Sequence, residues 1–341
     1  MNDQTNDRKI RHLQIIEQDQ RVDRRKSYFD TIHLKHRALP ELDLAQVDPS
    51  TSFMGKKLSF PLLISSMTGG QNELIDTINK NLALAAEHCG IAMGVGSQRV
   101  MFTHPESRKS FELRKYAPTT LLFSNLGAIQ LNYGFAVEHI REAIEVVGAD
   151  GLFLHLNPLQ EAIQPEGNTN FSGLAEKIGQ LASSLDVPIV LKEVGAGISD
   201  EDVKVLVRKG IHCIDVAGTG GTSWSRIEHH RQSDNQDALG LQFQDWGIPT
   251  PMALQMLAPY RDKITLIASG GIRSGVDMVK AMVLGASLCG LASPFLQPAM
   301  ESHEKVINVI ERLKQEFTTA MFLLGLQDVN QMRGCDRLVL S

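Results

Sequence analysis

Residues 188–220 read PIVLKEVGAGISDEDVKVLVRKGIHCIDVAGTG. An apolar run ends in a polar, glycine-containing turn, and Ser199 and Asp202 then stand at the spacing of a helix-capping box. A second apolar run opens at Cys213. Strand, helix and strand within roughly thirty residues is one βα repeat, and runs that are apolar on both faces are what parallel strands covered by helices require.

The same rhythm extends in both directions. Strand candidates stand at PLLISSM (61–67), IAMGVG (91–96), TLLFSNLG (120–127), GLFLHLN (151–157), PIVLKEVG (188–195), CIDVAGTG (213–220), ITLIASGG (264–271) and LCGLASPF (288–295). Helix-period segments lie between or after them, among them ELIDTINKNLALAAEHCG, AVEHIREAIEVVGA and HEKVINVIERLKQEFTTAMFLLG. Ser274 and Asp277 repeat the capping spacing. Consecutive βα units of even length close most simply into a (β/α)8 barrel, the TIM barrel of the α/β class. The expected division is an N-terminal arm and lead-in over 1–59, the barrel over 60–326 and a C-terminal tail over 327–341. A polar stretch from Thr222 to Pro249 interrupts the rhythm and reads as a lid or subunit contact.

Composition narrows the function. The chain has 341 residues, 43% hydrophobic and 21% charged, with a net charge of -5. It carries no global attraction for nucleic acid or anionic membrane. Cys89, Cys213, Cys289 and Cys335 form no CxxC pair and read as reduced thiols, and the longest apolar window, MVLGASLCGLASPFL, is too short to span a bilayer. The expectation is a cytoplasmic protein without membrane or nucleic-acid partner.

In such a barrel the site lies at the C-terminal strand ends, and there the sequence gathers SSMTGG, GSQR, SNLGA, HLNPLQE, KEVGAG, GTGGTSW, SGGIRSG and ASPF. The loops after strands seven and eight commonly hold a phosphate, and here they supply Gly271, Ile272 and Arg273, then Ala292 and Ser293. Lys192 interrupts an apolar strand, where a cation needs an anion or an electron-rich ligand; Glu193, on the opposite face of the strand, is not placed to serve. The glycine-rich turns together suggest a flavin mononucleotide lying against backbone. In HLNPLQEAIQPEGN, residues 155–168, a strand ends in groups that a charged ligand would satisfy.

Taken together, RKIRH (8–12), MTGG, GSQR, HLNPLQE, KEVGAG, GTGGTSW and SGGIRSG resemble the type 2 isopentenyl-diphosphate isomerase family from residue 8 to about 296, with HLNPLQE and GSQR the specific parts. The resemblance implies an isomerase on an FMN-binding barrel that interconverts isopentenyl and dimethylallyl diphosphate with reduced FMN and Mg2+, NADPH serving as reductant. It places FMN on Ser66, Met67, Thr68, Ser97, Asn125, Lys192, Thr222, Gly271, Ile272, Arg273, Ala292 and Ser293. It places the diphosphate substrate on Arg8, Lys9, Ser97, Gln98, Arg99, His155, Asn157 and Gln160, the metal on Glu161, and the catalytic work on Gln160, His155, Asn157 and Lys192. Ser293 departs from the family, which carries a hydrophobic residue before that proline. A homo-oligomer, tetramer or octamer, is implied as well.

Moving the double bond requires proton delivery to an unreactive alkene. No strong acid is expected to face carbon at this rim, so the reduced flavin, assisted by Gln160, is the expected proton carrier. RKIRH is expected to be mobile until a diphosphate orders it, because so few apolar residues hold it down. The competing readings are another FMN barrel oxidoreductase or a non-catalytic flavin- or phosphate-binding barrel. An oxidase wants a His–Arg pair after DVAGTGG and a nucleotide dehydrogenase a cysteine there, yet TSWSR follows; the neighbouring His229 and His230 read as solvated.

Overall fold

The computed structural model describes residues 5–231 and 238–340; 1–4, 232–237 and 341 lie outside the described residues, and with them the start of the arm, the middle of the 222–249 stretch and the end of the tail. A hairpin of β1 (Thr51–Phe53) and β2 (Lys56–Leu58) precedes the barrel. The barrel strands are β3 (Leu62–Ile64), β4 (Ala92–Gly94), β5 (Leu122–Gly127), β6 (Gly151–His155), β7 (Ile189–Lys192), β8 (Cys213–Asp215), β9 (Thr265–Ser269) and β10 (Leu288–Leu291). They pair in chain order, all parallel, and β10 returns to β3 to close the cylinder. Each falls within a strand candidate of the sequence.

Alternation along the strands splits the core in two. Leu63, Phe123, Phe153, Val190, Ile267 and Leu288 fill the lumen, and Phe53 and Leu58 of the hairpin join the same cluster, so the N-terminal half of the cylinder is packed with carbon. The opposite strand faces meet helices in the larger core. The helices are α1 (Thr5–Gln18), α2 (Glu73–Cys89), α3 (Val137–Val147), α4 (Pro158–Ile163), α5 (Leu174–Ala182) and α6 (Asp200–Val207). They continue as α7 (Trp224–Arg231), α8 (Leu239–Gln242), α9 (Thr250–Met256), α10 (Gly275–Val283), α11 (Ser293–Glu301) and α12 (His303–Leu323).

Ser199 and Asp202 form the reciprocal capping box at the start of α6. At α10 only half the expected box exists: Ser274 accepts from the Asp277 amide, but the Asp277 carboxylate accepts from the Arg273 amide at 3.0 Å instead. The crossover from β4 to β5 also departs from an α-helix, running through 3-10 turns at Gln98–Phe102 and Pro105–Phe111. Pro105 explains the break, since it pushes His104 out of helical geometry, to φ -130° and ψ 86°.

Two expectations about loose segments are corrected. The arm is not held too weakly to pack: α1 buries Leu13 in the main core, and Ile15 joins Val22 and Ile227 in a small cluster against α7. Each buried aliphatic of this kind contributes roughly 1.5–3 kcal/mol, more than an exposed ion pair of about 0–1 kcal/mol. The described part of 222–249 folds into α7 and α8 and carries α1 across the C-terminal mouth. His229 is buried and His230 lies 2.7 Å from Asp19 at the end of α1, so the two histidines are not a solvated pair.

Candidate active site

Two adjoining cavities of about 380 and 120 Å3 open at the C-terminal strand ends, and Lys9, His12, Ser66, Met67, Lys192 and Trp224 line both. The larger is of the size that ligand pockets usually have. Its far wall is the loop after β9, where Gly270 and Gly271 adopt φ of 96° and 78°. A Cβ at Gly270 would lie 2.0 Å from the Gly218 carbonyl, and one at Gly271 2.8 Å from the Lys26 carbonyl, so two glycines are the condition for the loops to close on each other.

Arg273, Ala292 and Ser293 complete this wall, and α11 starts there. In this structure a carboxylate stands in the cradle: the Arg273 guanidinium pairs with Asp23, and the Ser293 hydroxyl donates to the same carboxylate at 2.9 Å. Oxyanion recognition by two residues expected to bind phosphate is thus visible with an oxyanion of the chain itself. Ser66, Met67 and Thr68 after β3, with Thr222 and the buried Ile272, line the stretch between the cradle and Lys192. The Ser65 and Thr68 hydroxyls are buried there without hydrogen-bond partners. Cradle, cavity size and waiting hydroxyls fit a flavin mononucleotide.

The smaller cavity is polar and lies beneath α1. Arg8, Lys9, Ser97, Arg99, Asn125, His155, Asn157, Gln160 and Glu161 all line it. Asn125 donates its amide to Ser66 Oγ at 2.8 Å and to the Val95 carbonyl at 3.0 Å, so its oxygen must accept from His155 Nδ1, 2.8 Å away. His155 therefore presents Nε2 as a bare lone pair. Burial and the cations Lys192, Lys9 and Arg8 lower its pKa to about 3, which keeps the ring neutral.

Glu161, 5% exposed, is the hub of a local network. Its oxygens accept from Asn157 Nδ2 at 3.0 Å, Gln164 Nε2 at 2.6 Å and the Asn168 amide at 2.5 Å. Gln160 is fixed at both ends, its oxygen accepting from Asn157 at 3.1 Å and its nitrogen donating to Glu228 at 2.9 Å. Glu228 is fully buried on α7, 3.2 Å from His12 and ion-paired with Arg231. Burial pushes this carboxyl up, but His12, Arg231 and Gln160 prevail and hold it down at about 2. Burial pushes the nearby Lys9 ammonium down to about 8, with Arg8 adding to the effect.

One expected contact does not hold. Gln98 is fully buried outside both cavities; it accepts from Ser124 Oγ at 2.7 Å and the Asn125 amide at 3.0 Å and donates to the Ala143 carbonyl at 2.8 Å. It braces Asn125 rather than meeting a ligand, because a side chain pointing between barrel and helix must spend its amide there. His12, Glu228 and Asp215 were not among the expected site residues. Asp215 carried the signal that singled out Lys192, a charge inside an apolar strand. Glu228 and His12 lay in segments read as a lid and a mobile arm.

A relative from Hydrogenovibrio crunogenus named isopentenyl-diphosphate delta-isomerase is 54% identical over 97% of this chain and 97% of its own length. The chain belongs to the isopentenyl-diphosphate delta-isomerase family. A family member from Paracoccus zeaxanthinifaciens is 53% identical over 97% of this chain and 96% of its own, and one from Pyrococcus furiosus 43% identical over 89% and 79%. The FMN-dependent dehydrogenase family model matches residues 13–103 and 154–336 as well, which ties this isomerase to flavin barrels. Among solved structures, a flavocytochrome b2 variant with sulfite bound superposes with a TM-score of 0.68 at 19% identity, covering 99% of this chain and 79% of that one. A mandelate oxidase variant with an FMN adduct superposes at 0.63 and 19%, covering 91% and 88%. These two establish the fold.

Among the described residues of this isomerase no three His, Cys, Asp or Glu side chains gather to hold a metal, and no helix is long and apolar enough to cross a membrane. A Mg2+ ion would rest on one carboxylate and on oxygens brought by a diphosphate, the mode it commonly adopts. Glu161 Oε1, with a single hydrogen-bond donor, is chemically suited to that.

Proposed function

We propose that this isomerase interconverts isopentenyl and dimethylallyl diphosphate in the cytoplasm with reduced FMN and Mg2+, NADPH supplying the reducing equivalents. The observation that carries the reading is the junction of the two cavities at Lys192, a glycine-walled, oxyanion-binding chamber on one side and a basic polar pocket on the other. In this reading Ser66, Met67, Thr68, Ser97, Asn125, Thr222, Gly271, Ile272, Arg273, Ala292 and Ser293 hold FMN. When bound and reduced, FMN supplies an electron-rich ring able to exchange a proton with the allylic carbons and to stabilise developing positive charge.

The chain's own groups do the rest. Arg8, Lys9 and Arg99 take the diphosphate charge, and Asn157 and His155 orient it. A neutral His155 with its lone pair inward suits a water or hydroxyl donor at the diphosphate rather than a bare oxygen. Glu161 would hold Mg2+, which would supply positive charge to a diphosphate. Gln160, locked between Asn157 and Glu228, presents a fixed amide to the hydrocarbon end, and α1 excludes water from above. Replacing FMN by its 5-deaza analogue, whose C5 does not exchange protons in this way, tests the assignment. Isomerisation is expected to cease while the analogue remains bound; isomerisation at the FMN rate would overturn the reading.

A further inference from the structure

The barrel lumen contains a second charged group directly behind Lys192. Lys192 ends β7 and Asp215 ends β8, opposite one another in register. Asp215 is 0% exposed, and its Oδ2 lies 3.8 Å from Lys192 Nζ, within ion-pair reach but without a hydrogen bond. Its Oδ1 is pinned by Ser269 Oγ at 2.6 Å and the Ala217 amide at 3.2 Å, so the carboxylate is fixed by two donors. Lys192 Nζ has one close acceptor, the Glu193 carbonyl at 2.6 Å, with the Phe153 ring 6.0 Å below and the cavities on its open side. The Glu193 side chain is turned away onto the amides of Val194, Gly195 and Ala196. The counter-charge near this lysine therefore comes from Asp215.

We propose that Asp215 is a positioning residue whose buried carboxylate governs how much of the Lys192 charge reaches the flavin ring. The inference rests on the reading that FMN lies in the larger cavity. Two electrons and one proton added to an oxidised flavin leave the ring with one net negative charge. With a neutral ring the ammonium is balanced by Asp215; with a charged ring it is shared between the two anions across a gap of one unmade hydrogen bond. Asp215 thereby opposes ring reduction and keeps the reduced ring from surrendering its electron density to the lysine. Burial holds the Asp215 pKa above the usual carboxylate value while Lys192 pulls it back, so removing the lysine favours the neutral carboxyl further.

The experiment is the FMN midpoint potential of the reconstituted holoenzyme, measured against reference dyes, for the wild type and Asp215→Asn, each also in a Lys192→Met background. In the wild-type background, Asp215→Asn is expected to shift the oxidised–reduced equilibrium at least tenfold toward reduced, about 30 mV for a two-electron couple. FMN remains bound and kcat falls more than KM changes. In the Lys192→Met background the same substitution is expected to shift nothing. An unchanged potential in the first case, or an equal shift in both, overturns the proposal. Should Asp215→Asn not fold, Ser269→Ala carries the same test, with a smaller rise expected and no rise as the contrary result. A wild type that retains FMN and isomerises while Asp215→Asn leaves the potential unmoved refutes this inference alone; a wild type that takes up no FMN, or holds it without isomerising, refutes the underlying reading instead.

Discussion

At the scale of single residues, the site divides into groups that bind and groups that hold binders in place. Gln160 is held by Asn157 and Glu228, and shortening it to Asn withdraws the amide from both partners and, in the proposed reading, from the hydrocarbon end of the substrate. Gln160→Asn is expected to lower kcat by at least about 10²-fold with FMN retention unchanged, read by steady-state kinetics alongside flavin absorbance. Glu161→Gln is expected instead to raise the Mg2+ concentration needed for half-maximal rate; the reverse pattern would exchange the two roles. His155 makes a pH prediction. Its pKa falls from 6.5 to about 3 on folding, so between those values the unfolded chain binds a proton that the folded chain refuses. Stability from this group is present above 6.5 and is lost as pH falls, by up to about 1.4 kcal/mol per unit. A His155→Asn variant should therefore show a shallower fall in Tm from pH 6.5 to 4.5 than the wild type, and parallel curves would refute the neutral buried ring. Lys192 was legible as an anomaly in its strand, and Asp215 obeys the same rule one strand on. What the sequence could not reveal was that the two face each other, because register joins residues 192 and 215 only once the barrel closes.

At the scale of elements, α1 departs furthest from expectation. Its sequence looks polar, yet Leu13 and Ile15 are buried and its polar face is answered by partners on α7 and beyond: His12 by Glu228, Asp19 by Arg226 and His230, Arg8 by Glu166. A helix with few apolar residues packs when those few share one face and the charges find partners. That pairing depends on α7, whose own run, WSRIEHHR, gave no apolar stripe to read. Removing residues 1–18 is expected to raise KM for the diphosphate by at least tenfold, since Arg8 and Lys9 leave with the helix. The melting temperature should fall as well, since Leu13 leaves the main core and Ile15 its cluster with Val22 and Ile227, while the cylinder itself still closes. A KM unchanged by truncation would remove α1 from the site. By contrast α2, α3 and α12 were plain in the sequence from their apolar period, since each lies on the barrel wall and buries one apolar face.

At the scale of the whole molecule, the cylinder brings together glycines and charges that are scattered along the chain. The loop at Gly270 and Gly271 nests against Gly218 and Gly220 only because β8 and β9 are neighbours, and the 23–26 segment of the arm reaches the same place by pairing with 220–222. The rhythm of eight strands carried this architecture in the sequence, and with it the mouth at which the glycine-walled cavity opens. The arm crossing the cradle was not legible, because the contacts of Arg24 and Lys26 with Gly221 and Gly220 are backbone contacts that no side-chain pattern announces. The central claim is that one mouth of the barrel holds a reduced flavin against the hydrocarbon end of a diphosphate ester. Proton NMR of isopentenyl diphosphate incubated with the FMN-loaded protein and Mg2+ tests it most directly. Dimethylallyl diphosphate is expected in the reduced sample and unchanged substrate in the oxidised one, and equal conversion in both, or none in either, would overturn the flavin's role.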